Sequence, residues 1–476
     1  MNIEGKKVLV VGVARSGVAA ARLLASRGAM VIANDIKPES QLAREAEELR
    51  RLGVMLSLGG HPESLFANAE LIVLSPGVPA DIAPLEPARR AGIEIISEPE
   101  LAGRFLRGRM IGVTGSNGKT TTTTLIGDLM RAAGVEVIVG GNIGMPLTSL
   151  VEKSGEHTWT VAELSSFQLE MIDTLRVHVA VVTNITPDHL DRHGTLENYV
   201  RAKSRIFQNQ TGDDWAVLNG HDRAVADMAA APGVRSRKVY FNSHGRETLT
   251  GERAAIYVRG GRIYTTLATA DGSELEAVAI DEIPLRGMHN VENVMTALAA
   301  VFCATGTRPS GLPALREAIK RFKGVEHRIE YVAEINGIKF YNDSKATNVD
   351  STAKALEAFD RNVIVILGGK DKGSDYTVLA PLLRERVKQV VLIGAASDKI
   401  EAQLKGVRPM IRAGSMQDAV LKSMEVARAG DTVLLAPACA SFDMFDNYEH
   451  RGRAFKEAVY GLADRLHSGW TGRLTT

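Results

Sequence analysis

The stretch Ile111–Leu125, IGVTGSNGKTTTTTL, decides how the chain is read. An apolar run enters a glycine loop and leaves it through Lys119 and five threonines, the layout of a strand, a phosphate-binding loop and a helix start. The usual pattern, G-x-x-x-x-G-K-[ST], would put a glycine at position 113, where Val113 stands; Gly112 is one residue early and Gly115 two late. Gly115 and Gly118 still let successive N–H groups turn inward ahead of a helix N-terminus, with Lys119 as a mobile cation and Thr120 placed for Mg²⁺ on the phosphates. The bland alternative is a glycine-rich strand-to-helix turn with a surface lysine. Threonine is a poor helix former, and five of them cost on the order of 3 kcal/mol relative to alanine, so something must offset them. Beyond Thr120 they are assigned only to capping and packing.

Working outward, Lys6 to Val11, a helical stretch Val18 to Arg27 and the run Met30 to Ala33 ending at Asp35 form a β-α-β opening of a doubly wound sheet. Leu71 to Leu74 stops at Ser75-Pro76-Gly77. After Pro99 a new unit starts, with helix Glu100 to Leu106, strand Met110 to Val113 into the loop, then Trp159 to Ala162 ending at Glu163 and Val177 to Val182 ending at Asn184. Alternating β-rich segments from Val239 to Ile283 contain a Gly260-Gly261 turn and give way to helices Gly287 to Ala304 and Leu312 to Phe322. From about Val325 a third unit repeats the α/β alternation, with strands Val363 to Leu367, Val390 to Ile393 and Thr432 to Leu435. The expectation is α/β throughout: a Rossmann-like domain over 1–97, a central ATPase-type domain with a mostly parallel sheet over 98–324, and a Rossmann-like domain over 325–476.

The length, 476 residues, is too great for one ordinary core. A net charge of +1 with interspersed Lys+Arg 57 and Asp+Glu 56 argues against a nucleic-acid surface. Cys303 and Cys439 are too few and too far apart for a zinc site or disulfide framework. No apolar run reaches the ~18 residues of a membrane span, and MNIEGKKVLVVG has no signal layout, so a soluble cytoplasmic protein is expected.

Glu163 sits where a nucleotide enzyme places an acidic metal partner, and Asp188 and His189 follow the parallel strand. His189 and His193 are four apart, a spacing that invites a zinc reading; without an H-E-x-x-H glutamate or a nearby cysteine that reading is weak, and His193 reads as a satisfied surface histidine. Lys203 reads as a helix-surface lysine. Gly12-Val-Ala-Arg-Ser-Gly17 with Asp35 downstream resembles a dinucleotide fingerprint, but Ala14 replaces the central glycine and would crowd a pyrophosphate, which disfavours a nicotinamide cofactor.

Taken in order, GSNGKTT, GGNIG, ELSSFQLE, NITPDHLDRH, YVRAKSRIF, GMHNVENVMTAL, HRIE, NDSKATN, LGGKDKG and PACASFDMFDNYEHRG closely resemble the Mur ligase family of peptidoglycan synthesis, over nearly the whole chain from about residue 12 to 453. In that family the shorter G-x-x-G-K-T loop is the normal form. The resemblance implies ATP-dependent addition of D-glutamate to UDP-N-acetylmuramoyl-L-alanine by a monomer with two Mg²⁺ ions. It implies ATP contacts at Gly115, Ser116, Asn117, Gly118, Lys119, Thr120, Thr121, Asn290, Arg328 and Asp343. Metal ligands would be Thr120, Asn142, Glu163, His189 and Lys203, the last carbamylated, with Lys119, His189 and Lys203 serving catalysis. Arg15, Ser16, Asp35, Lys37, Ser75, Gly77 and Asn142 would meet the UDP substrate, and Ser344, Lys345, Thr347, Lys372, Ser441 and Tyr448 the D-glutamate. Lys370 and Asp446 depart from the charges of some relatives near that last site. Asn117 in place of histidine and the absence of D-N-P-R argue, by family comparison, against the members that add L-alanine or a diamino acid. A nicotinamide-linked dehydrogenase would leave the loop and NDSKATN idle, and a nucleotide sensor would not need the acceptor residues.

Overall fold

In the computed structural model, which describes residues 1–306 and 308–467, three separate sheets carry the chain. The first is all parallel, in the order Met55–Leu58, Met30–Asp35, Lys7–Val11, Leu71–Leu74, Glu94–Ser97. Its central strands are apolar on both faces because helices cover both, the pattern of a parallel sheet. The chain reverses direction of travel across the sheet at Lys7–Val11, and the crevice there opens at Gly12 and Ser75.

The second sheet has nine strands, in the order Leu275–Ala279, Arg262–Thr265, Ile256–Arg259, Arg237–Asn242, Trp215–Asn219, Val179–Val182, Arg109–Thr114, Trp159–Glu163, Val137–Gly141. It is parallel from Val137–Gly141 to Ile256–Arg259, and the last two pairings are antiparallel, the Gly260-Gly261 hairpin among them. The third sheet runs Glu330–Ile335, Ile338–Asn342, Thr432–Leu435, Val363–Gly368, Val387–Ile393, Met410–Arg412, with only the first pair antiparallel. Two compact units result: Met1–Ile283 with Glu292–Phe322, which holds the first two sheets, and Pro284–Val291 with the residues from Lys323 on, which holds the third.

Element ends differ from expectation where local chemistry outweighs hydrophobic pattern. The first helix is Arg15–Ser26, starting directly after the Gly12 turn, three residues ahead of Val18. Gly17 lies in its first turn because nothing larger fits: a Cβ there would stand 1.8 Å from the Gly12 carbonyl oxygen. The helix expected after Pro99 is Glu98–Gly103, since proline suits a first turn and the Ser97 side chain caps it. Strands such as Val137–Gly141 and Trp215–Asn219 were not expected, being short and ending in glycine or polar residues.

Glu98 is 1% exposed, and one of its carboxyl oxygens accepts from both the Thr148 N–H and hydroxyl, each at 2.7 Å; the other has no partner among the described residues. Burial pushes this carboxyl up to about 7, against the opposing pull of those donors. Its neutral form is therefore the one the fold favours: the contribution is fully present below the ordinary value of 4.5 and is lost as pH rises through about 7. Glu98→Gln, which keeps an acceptor for Thr148, should equal the wild type in stability at pH 4 and exceed it by roughly 3 kcal/mol above pH 7; urea titrations across that range check this.

Candidate functional site

Strand Arg109–Thr114 delivers the chain to the loop and helix Lys119–Ala132 leaves it. Val113 is a fully buried strand residue, paired with Glu163 and Val181 on its two neighbours, so the loop is short because the strand runs on through the position of the usual first glycine. Gly115 (φ +136°) and Gly118 (φ +84°) are both required: a Cβ on the first would lie 2.0 Å from the Thr183 Oγ1, on the second 2.3 Å from the Asn293 Oδ1. The loop is braced from the next strand end. Ser116 N–H donates to the Asn184 carbonyl (2.8 Å), Asn117 N–H to the Asn184 side chain (2.9 Å), and the Thr183 hydroxyl to the Asn117 carbonyl (2.6 Å). Lys119 Nζ lies back across the loop, donating to the carbonyls of Gly115 (3.0 Å) and Ser116 (2.8 Å).

The threonines are packing and bracing residues, and none caps the helix, whose N-cap is Gly118. Thr120 Oγ1 donates to Glu163 Oε2 (2.7 Å), Thr122 to the Asn293 side chain (3.2 Å) and Thr124 to the Thr120 carbonyl (2.9 Å). Thr121, Thr122 and Thr123 are at most 2% exposed, so burial offsets what their helix propensity lacks.

Around the loop, four adjacent strands end in polar groups. Glu163 is 2% exposed and joins Thr120 to Asn142, whose Nδ2 donates to its other oxygen at 3.0 Å. His189, 44% exposed at its side chain, has a left-handed backbone (φ 51°) and stands before helix Leu190–His193. It therefore does not share a helix face with His193. His193 is buried, with Nε2 2.9 Å from the Ser166 hydroxyl and Nδ1 3.3 Å from Glu170, so the surface expectation is corrected. Lys203 also overturns its surface reading. It is 2% exposed, with Nζ donating to the Gly115 carbonyl (2.7 Å) and lying 4.5 Å from the Tyr199 ring centre. Burial, then the Lys119 cation, holds its amine well below the usual lysine range, while Asp188 and Glu163 pull the other way.

In the first sheet, Asp35 accepts the N–H groups of Val13 (2.7 Å) and Lys37 (2.9 Å), and the Ser75 hydroxyl donates to the Gly12 carbonyl (2.7 Å). Arg15 reaches the Gly144 carbonyl of the GGNIG segment. Ser16 is half-buried, and Lys37 and Gly77 are exposed at the same strand ends.

In the second unit the acidic, basic and hydroxyl candidates gather at the carboxyl ends of three neighbouring strands. Asp343, Ser344, Lys345 and Thr347 follow Ile338–Asn342, Lys372 follows Val363–Gly368, and Ser441 and Tyr448 follow Thr432–Leu435. Ser344 is fully buried, its hydroxyl donating to the Tyr448 carbonyl (2.8 Å), and Lys345 Nζ lies 5.5 Å from the Tyr448 ring centre. Lys372 is exposed. Asn290 donates to the Arg286 carbonyl (2.6 Å). Lys370 exchanges main-chain bonds with Ala440, and Asp446 is exposed beside His450 (3.1 Å), so both departures lie at the rim of this group.

Compared with known proteins, residues 6–97 match the family description "Mur ligase MurD-like, N-terminal domain", 113–301 "Mur ligase middle domain" and 327–439 "Mur ligase, glutamate ligase domain". A UDP-N-acetylmuramoylalanine--D-glutamate ligase of Koribacter versatilis is 48% identical over 98% of this chain and 99% of its own, and one of Acidobacterium capsulatum 48% over 99% of each. The chain belongs to the Mur ligase family. Solved Mur ligases share its fold: the UDP-N-acetylmuramate-alanine ligase of Thermotoga maritima, 20% identical, superposes with a TM-score of 0.59 over 96% of this chain and all of its own.

Two residues of the second unit escaped the sequence reading. Arg451, 1% exposed, donates to the Ser344 hydroxyl (2.9 Å) and carbonyl (2.7 Å) and to the Cys439 carbonyl (3.0 Å), and burial presses its guanidinium down to about 10. His327 (φ 65°) is 2% exposed and shares a hydrogen bond with Asn342 (2.9 Å). Only the motif PACASFDMFDNYEHRG signalled Arg451, as a position without a role. Among the described residues Glu326, His327 and Glu330 converge as a metal-sized group, but Lys456 is bound to both carboxylates. Asp343 is buried, which pushes its carboxyl up to about 6 against the opposing pull of Arg328 first among its neighbours. Removing that cation in Arg328→Ala should raise the Asp343 pKa above 6, read from its carboxyl carbon by NMR titration.

Proposed function

We propose that this Mur ligase joins D-glutamate to the L-alanine carboxylate of UDP-N-acetylmuramoyl-L-alanine, using ATP, in the assembly of peptidoglycan precursors. The observation that carries the reading is the group of Lys119, Thr120, Glu163 and His189 after the ends of three adjacent strands, with buried Lys203 bonded to the same loop from its helix, in a chain 48% identical to ligases named for that reaction. We assign residues 1–97 to the UDP substrate through Arg15, Ser16, Asp35, Lys37, Ser75 and Gly77, and 98–324 to the ATP phosphates. Residues 325–476 take D-glutamate through Ser344, Lys345, Thr347, Lys372, Ser441 and Tyr448, with Arg328 and Asp343 meeting the nucleotide beside Asn290. Among the described residues no helix is long and apolar enough to cross a membrane, and we infer a cytoplasmic monomer.

A carboxylate does not condense with an amine unaided. An oxygen of the alanyl carboxylate forms a bond to the γ-phosphorus of ATP as the bond from that phosphorus to the β–γ bridging oxygen breaks, giving ADP and an acyl phosphate. The uncharged amine of D-glutamate then adds to the acyl carbon, and phosphate leaves. Loop N–H groups at the start of helix Lys119–Ala132 and the Lys119 ammonium balance charge on the transferred group. The oxygens of Thr120 and Glu163 suit a hard divalent cation, and with Asn142, His189 and Lys203 they would hold two Mg²⁺ ions, which supply further charge neutralisation. Exclusion of water matters because an acyl phosphate hydrolyses readily.

Lys203 fits carbamylation by its chemistry. Burial and the Lys119 cation lower the pKa of this amine and so favour its uncharged form, the one that adds to CO₂: an N–C bond forms, a proton is lost from nitrogen, and the product offers carboxylate oxygens as ligands. A ¹³C-labelled bicarbonate sample of wild-type enzyme should show a carbamate resonance that Lys203→Ala lacks; an unmodified amine in active enzyme would sink this part.

With ATP, Mg²⁺ and UDP-N-acetylmuramoyl-L-alanine supplied, D-glutamate alone among L-alanine, meso-diaminopimelate and D-alanyl-D-alanine should trigger phosphate release. Release triggered by another of these would overturn the assignment of the amino acid.

A further inference from the structure

We propose that Arg192 sets the peptide orientation of the Ser75–Val78 turn and ties that turn to His189, which makes it a positioning residue for the UDP substrate; this rests on the assignment of that turn to the UDP substrate. Ser75, Pro76, Gly77 and Val78 form a four-residue turn closed by the Val78 N–H on the Ser75 carbonyl at 3.0 Å. In such a turn the central peptide, here Pro76–Gly77, can flip, and the two states differ in the sign of φ at the third residue. Gly77 does not have positive φ, so one of the two is selected.

What selects it is Arg192. Its Nη1 donates to the Pro76 carbonyl at 3.0 Å and its Nη2 to the Val78 carbonyl at 3.2 Å. A planar trans peptide directs its N–H opposite its C=O. Pinning the Pro76 carbonyl therefore turns the Gly77 N–H away from Arg192, and among the described residues that N–H has no partner. A Cβ at Gly77 would meet no atom within 4 Å. Neither backbone sign nor packing requires glycine there, while a ligand lying close over an open peptide N–H would.

Arg192 is itself held. Its guanidinium lies 4.1 Å from the Phe167 ring centre and 3.2 Å from a Glu170 oxygen, and its side chain is 21% exposed. The same Phe167 ring meets His189 edge-on at 4.9 Å and stacks on His193 at 5.4 Å. One aromatic ring thus connects the turn's clamp with the imidazole assigned to the metal side. The task needs a planar fork, with one donor for each carbonyl and a face for the ring, which a lysine ammonium does not provide.

The test is calorimetric binding of UDP-N-acetylmuramoyl-L-alanine to the full-length protein without ATP, alongside steady-state kinetics. Arg192→Ala should raise the Kd and KM for that substrate about tenfold or more, as expected for two lost charge-assisted bonds, with the KM for ATP changed by about twofold at most. Arg192→Lys should keep the fold and stay impaired, and Gly77→Ala should melt like the wild type yet bind the UDP substrate weakly. Wild-type-like binding by Arg192→Lys, or equal rises in both KM values in Arg192→Ala, would overturn the inference. A wild type that binds the UDP substrate but ligates no D-glutamate would refute the reaction assigned above and leave this one standing; a wild type that does not bind it would refute this one.

Discussion

One carbonyl oxygen receives two lysine nitrogens. Gly115 O lies 3.0 Å from Lys119 Nζ and 2.7 Å from Lys203 Nζ, both poorly solvated. Two ammonium ions at such separations repel strongly where water is excluded. The cost falls on Lys203, whose amine burial and then the Lys119 cation hold well below the usual lysine range. The glycine that presents this oxygen is fixed in turn: its φ of +136° and the Thr183 hydroxyl beside it leave no room for a side chain.

Much of this was legible in the sequence because it depends on residue type at short range. A strand, two glycines and a lysine in that order point to a loop that turns its N–H groups inward ahead of a helix, and the carboxylate of Glu163 lies one strand away because parallel α/β units place polar residues at their carboxyl ends. The opening β-α-β, the Gly260-Gly261 hairpin and most long strands were equally readable from apolar runs and turn residues. What failed was burial of charge. Lys203 and Arg451 sit on helices among polar neighbours, and nothing local distinguishes a lysine facing solvent from one facing Tyr199. Only the tertiary arrangement of the loop makes the difference. His193 failed for the same reason, its Ser166 and Glu170 partners lying on a separate turn.

The two units solve the problem of buried charge differently. In the first, Glu163 is satisfied by neutral donors, Thr120 and Asn142, which could yield their places to a cation. In the second, Arg451 is satisfied by a serine and three carbonyl oxygens rather than by a carboxylate in direct contact.

The buried threonines of helix Lys119–Ala132 bear on motion. A segment so poor in intrinsic helix propensity has little tendency to stay helical once its packing is removed. The start of the helix, which organises the loop N–H groups, is therefore held by the burial of Thr121, Thr122 and Thr123 and not by its own propensity, so its order is tied to the packing around it.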